Sequence, residues 1–128
     1  MDHDEADPEK GRARELMEAL MWAYDIILHQ LAGLPIPIGL PPIDQETWDP
    51  QLAIPAVDRS RSLISEEPIP EILKIGFEGL VLEWLVAYEL AAAIKSAGPA
   101  PWRVDGLDTA LGRIAAGLRI LRSMLEDE

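Results

Sequence analysis

Three stretches of the chain repeat their apolar positions with a helical period. In the first, about residues 10–32, Leu16, Leu20, Ala23, Ile27 and Leu31 share one face at about 100° per residue. Met17, Met21, Tyr24 and Leu28 widen that face, and the opposite side carries Arg14, Glu18, Trp22, Asp25 and His29. Gly33 followed by Pro35 stops the helix. A second helix is predicted over about residues 69–96. It is apolar on nearly every side (Leu73, Phe77, Leu80, Val81, Trp84, Leu85, Ala87, Leu90, Ile94), which marks a central helix. Ser65, Glu66 and Glu67 offer cap-like polarity before it, Pro70 suits a first turn, and Gly98-Pro99 ends it. A third helix is predicted over about residues 105–126, opening at Asp105 with Asp108 as a capping-box analogue. Leu107, Leu111, Ile114, Leu118, Leu121 and Leu125 follow at spacings of 4, 3, 4, 3 and 4, an a/d seam. Ala110, Gly112, Ala115, Ala116 and Gly117 keep this helix thin enough for a neighbour to approach closely.

Between the first two helices lies Leu34–Pro70, with eight of the eleven prolines and eleven aliphatic residues. Its proline density predicts a non-helical strap, and its aliphatics call for burial. The expected arrangement pins Leu34–Ile43 and Leu63–Ile69 against the second helix. It leaves 44–61, with Trp48, free to meet a partner. The predicted fold is therefore all-α: three main helices in a small bundle (10–128) behind an acidic flexible tail (1–9), with a proline-rich strap over 34–70. The surplus apolar surface of the second helix calls for the strap, a second copy of the chain, or both, so a homodimer is expected.

Composition narrows the function classes. At 128 residues the chain is long enough for one domain with its own core. A net charge of −12 repels nucleic acid and anionic lipid and suits docking on a basic partner. Without cysteine there is no disulfide, no thiolate nucleophile and no Cys-based zinc site. The longest stretch without formal charge, Ile26–Ile43, holds four prolines and two glycines and cannot form an ordinary spanning helix. The acidic start (Asp2, Asp4, Glu5, Asp7) is the reverse of a signal peptide, so a cytoplasmic location is expected.

Candidate chemistry is sparse. Glu83 stands apart from the solvated row Glu71, Glu78 and Glu89 and falls among apolar positions of the second helix. A carboxylate there needs a partner. The plain reading pairs it with Arg113, Arg119 or Arg122, and the functional reading makes it a catalytic acid. Glu18, Asp25 and His29 point the same way from the first helix at a spacing acceptable for metal ligands, although they also form the polar face of an amphipathic helix. Glu15 and Glu18 make a Glu-x-x-Glu pair, such as all-helical nucleotide pyrophosphohydrolases use to hold magnesium. Those enzymes need a second acidic pair on a following helix. Here Glu78 and Glu83 are five residues apart and face different sides, so the chain is not assigned to that family.

Arg59 and Arg61 form the basic cluster of the strap and could grip a phosphate or an acidic partner. Trp22 and Trp84 sit on helices as core or interface anchors, while Trp48 and Trp102 sit in connectors where they could greet a partner. Trp48, Arg59, Arg61, Trp84, Tyr88 and Trp102 are the predicted binding residues. The expected function is a non-catalytic, acidic protein–protein interaction module: an adaptor, an antitoxin- or immunity-like neutraliser, or a small subunit of an assembly. It needs no cofactor. Two alternatives stand beside it. One is a metal-dependent helical-bundle hydrolase of a phosphorylated small molecule. The other is a small-molecule pocket between the second helix and the strap, lined by Phe77, Trp84 and Tyr88.

Overall fold

A computed structural model describes residues 8–43 and 48–126. Most of the predicted acidic tail, with His3, and residues 44–47 of the strap lie outside the described residues. The described residues form four helices and no strand: α1 (Pro8–Ala32), α2 (Pro50–Ser65), α3 (Glu71–Ala97) and α4 (Pro101–Glu126). The fold is all-α as expected, but with four helices rather than three. α3 packs against each of the other three, and α1 also packs on α4.

The extra helix lies in the middle of the predicted strap. Asp49 caps it, its carboxylate accepting the Gln51 N–H at 2.9 Å, and Pro50 occupies the first turn, where its missing N–H costs nothing. Pro55 lies inside the helix. The buried residues of α2 are Ala53, Val57, Ser60 and Ile64, at spacings of 4, 3 and 4. Pro55 falls about 200° from Ala53, on the exposed side, and so does Gln51, whose carbonyl loses its i+4 donor. Water can satisfy that carbonyl, so the proline does not stop the helix. The expectation of a non-helical strap is thus corrected over 50–65.

The rest of the strap is held at named points. Leu34, Ile38 and Leu40 are buried, and the Ile38 N–H donates to the Leu31 carbonyl at 3.0 Å. Glu67, 2% exposed, accepts the Ile36 N–H on Oε1 at 2.9 Å, tying this arm to the α2–α3 turn. Ser65 closes α2 instead of capping α3, its hydroxyl donating to the Ser62 carbonyl. The N-cap position of α3 is Pro70, without a side-chain cap. Lys74 Nζ donates to the Ser65 carbonyl at 2.9 Å, a cation at the C-terminus of α2.

Gly98 carries φ 101°, a left-handed conformation that a side chain would strain, and turns the chain within three residues into α4. Pro101 is the first residue of α4, four residues before the predicted start. Asp105 and Asp108 therefore lie inside the helix. They grip the Arg12 guanidinium of α1 at 2.7 and 2.8 Å. The small residues of the α3–α4 pair permit close, antiparallel approach. A Cβ on Gly106 would meet Leu90 at 3.4 Å, one on Gly117 would meet Leu80 at 3.5 Å, and one on Gly76 would lie 2.7 Å from Leu121.

Candidate docking face and a tryptophan-walled groove

The core centres on α3. Trp84, fully buried, donates its indole N–H to the Leu20 carbonyl of α1 at 2.9 Å. Its ring packs against Tyr24 with centroids 5.2 Å apart and stacks on Tyr88 at 5.5 Å. Tyr24 in turn makes a T-shaped contact with Trp48, ring centres 5.0 Å apart, and donates its hydroxyl to the Pro41 carbonyl. Burial pushes the Tyr24 hydroxyl up to about 12. This aromatic row fastens the strap to α1 and α1 to α3.

α3 does not bury every side. Ile72, Ile75, Leu82 and Val86 are 61, 58, 44 and 46% exposed. With Gly79 they fall at spacings of 3, 4, 3 and 4, an a/d stripe laid along the outside of the helix. Nothing lies within 4 Å of a Cβ placed on Gly79, so a partner backbone can come close there. Ile120, beside the buried Leu121 of α4, adds a further exposed apolar side chain. Glu71, Glu78 and Glu89 line one flank of the stripe within about 20° of one another. On the other flank Glu83 pairs with Arg113 at 3.4 Å, the two side chains 27 and 70% exposed. The all-round apolar sequence of α3 predicts a central helix. It is central, but its neighbours leave one stripe bare.

A second feature lies on α1. An open groove of about 750 Å³ is lined by Met17, Met21, Ile43, Trp22 and Trp48, with Arg14, Glu18 and Asp25 as its charged lining. A smaller recess of about 210 Å³ shares Met17, Met21 and Trp48 and reaches Tyr88 and Lys95.

The predicted site residues do not converge. Trp84 is core, with no surface to offer a partner. Tyr88 lines the smaller recess, whereas Phe77, also expected in a pocket, is buried. Trp48 lines both cavities. Arg59 and Arg61 are exposed on α2, with Arg61 paired to Asp58 at 3.1 Å. Trp102 is 71% exposed in the first turn of α4, with the Arg103 guanidinium 5.4 Å from its ring centre. Glu15 is exposed on α1. Glu18 and Asp25 line the groove, and His29 Nδ1 lies 2.7 Å from the Asp25 carbonyl oxygen and 3.6 Å from its carboxylate. Among the described residues no three His, Cys, Asp or Glu side chains cluster in a way that could hold a metal ion. No helix of the described residues is long and apolar enough to cross a membrane.

One feature escapes the sequence: the exposed stripe, whose 3/4 spacing is hidden among apolar neighbours. Trp22, 70% exposed, faces outward between Glu18 and Asp25, on the side of α1 where the helical spacing places it. None of the family models, curated proteins or solved structures compared with the chain matches it.

Proposed function

We propose that the chain is a non-catalytic docking module that receives a basic, amphipathic helical segment of another protein on the outer stripe of α3. The observation that carries this reading is the run Ile72, Ile75, Gly79, Leu82 and Val86, exposed at coiled-coil spacing and flanked by carboxylates. A helix laid along it buries its own apolar face, as helix-in-groove recognition requires. Lysines or arginines beside that face would meet Glu71, Glu78 and Glu89. A second copy is the competing occupant, but two copies bring like-charged flanks together, each chain carrying −12. An adaptor, a neutraliser of antitoxin or immunity type, and a small assembly subunit all use such a face.

The test uses two synthetic amphipathic helices with identical leucine faces, one flanked by lysines and one by glutamates. Fluorescence anisotropy on the full chain should show binding of the lysine helix alone. The decisive variant is Leu82→Glu, which adds negative charge. Attraction to net charge alone predicts tighter binding of the lysine helix. Docking on the stripe predicts a loss of about tenfold or more, the size of a hot-spot truncation. Tighter binding would sink the proposal. So would light scattering that shows a dimer dissociated by Leu82→Glu, because the stripe would then be occupied by the chain itself.

A further inference from the structure

The α1 groove combines groups that the docking face does not use. Trp22 projects from the outer face of α1, with Glu18 one turn before it and Asp25 one turn after. Trp48 comes from the strap and is fixed in place by its edge contact with Tyr24 at 5.0 Å. Tyr24 is itself held by the Pro41 carbonyl and by the ring of Trp84. The groove therefore offers two indoles, one on a helix and one on a pinned loop, with Met17 and Met21 of α1 also in its lining.

Ligand class follows from charge and ring electronics. The face of an indole is the negative end of its quadrupole and attracts cations best among the aromatic side chains. Glu18 and Asp25 outnumber Arg14 in the lining, and the whole chain carries −12, so the surrounding field also draws cations. An anion would meet two carboxylates and two indole rings against one guanidinium. A bare metal ion would lack a ligand set, since no third carboxylate or imidazole joins Glu18 and Asp25 in a metal-holding group among the described residues. The methionines add soft, polarisable contact for an apolar body. The volume, about 750 Å³, is within the roughly 300–1,000 Å³ of small-molecule sites.

We infer that this groove binds a small organic cation, an alkylated ammonium carried on an apolar body, between Trp22 and Trp48 with Glu18 and Asp25 as counter-charges. The alkyl groups spread the positive charge and lower the cost of removing it from water, which a simple ammonium would not escape. The inference is independent of the α3 docking face.

The experiment titrates the nitrogen-15-labelled full chain with choline and, separately, with its uncharged isostere in which carbon replaces the quaternary nitrogen. The four tryptophans give four indole N–H signals, and single Trp→Phe variants assign them. Choline should move the Trp22 and Trp48 signals saturably and leave Trp102, exposed elsewhere, unmoved. The isostere should move neither. Trp22→Leu alters a side chain already 70% exposed, so the fold survives, as far-UV circular dichroism would verify. Loss of that one cation–indole contact should weaken choline roughly three- to thirtyfold, read from the Trp48 signal. Glu18→Gln with Asp25→Asn should weaken it further. Equal response to the isostere would overturn the inference in favour of a merely apolar groove. Equal response of Trp102, or no shift at all at choline concentrations of tens of millimolar, would also overturn it.

Discussion

Gly76 and Gly79 lie three residues apart on α3, and the same substitution should change stability in opposite directions at the two sites. In a helix interior, Gly→Ala gains about 0.8–1 kcal/mol, because alanine has less backbone freedom to lose. At Gly79 the new methyl meets nothing within 4 Å, so the free chain should keep the whole gain. At Gly76 it would lie 2.7 Å from Leu121 Cδ2 and 3.3 Å from Cγ. Leu121 is 3% exposed, so its side chain would have to shift against packed neighbours and not into solvent. Forcing one extra methyl into such a contact costs about 1–3 kcal/mol. The net expectation for Gly76→Ala is therefore a loss of up to about 2 kcal/mol, and the two variants should differ by about 1–3 kcal/mol. Urea unfolding followed by far-UV circular dichroism measures both, with Gly112→Ala, equally open, as a second gain-of-stability control. Trimming Leu121 to alanine in the Gly76→Ala background should cost less than in the native chain, because the two sites share one contact. Gains of equal size at Gly76 and Gly79 would refute the close approach of α3 and α4 from which this reasoning starts.

Three further outcomes test the connections. Glu67→Ala should leave the Ile36 N–H without its acceptor and cost about 1–3 kcal/mol, while Glu67→Gln, which keeps an acceptor oxygen, should cost much less. Faster amide exchange at Ile36 in the alanine variant alone would establish the link, and equal exchange in both would deny it. Tyr24 ionises near 12 when folded and near 10 when unfolded, so the unfolded chain gives up this proton first and stability should fall as pH rises from about 10 to about 12. Tyr24→Phe should remove that part of the pH slope and, at neutral pH, cost about 1 kcal/mol for the lost bond to Pro41. Urea midpoints of both proteins across this range measure it, and parallel slopes would contradict it. Glu83→Gln breaks a partly exposed ion pair and should shift stability by no more than about 1 kcal/mol; a larger loss in urea unfolding would mean that Glu83 supports more than Arg113.

Why three helices are legible and the fourth is not comes down to what proline costs on each side of a helix. α1 and α4 declare themselves by period, and α3 by an apolar run between Pro70 and Gly98-Pro99, each over seven turns or so of uninterrupted backbone. α2 carries the same signal in Ala53, Val57, Ser60 and Ile64, but Pro50 and Pro55 make the segment read as irregular. Proline excludes a helix only where its ring and its missing N–H have consequences. Pro50 is at a start, where the N–H is spare. Pro55 is opposite the buried stripe, where the carbonyl it orphans can reach water. Asking which face each proline occupies, and not how many there are, separates these cases from sequence.

The candidate sites are less legible for a different reason. Trp22 and Trp84 both lie mid-helix, yet the neighbours one turn away, Glu18 and Asp25 for one and Leu80, Val81 and Tyr88 for the other, already distinguish an outward ring from a core ring. What no local pattern encodes is the return of Trp48 onto α1 through Tyr24, or the number of helices that α3 finds to cover it. An all-round apolar helix needs neighbours on every side. Within the described residues α1, α2 and α4 supply three, which is why the a/d stripe from Ile72 to Val86 stays exposed.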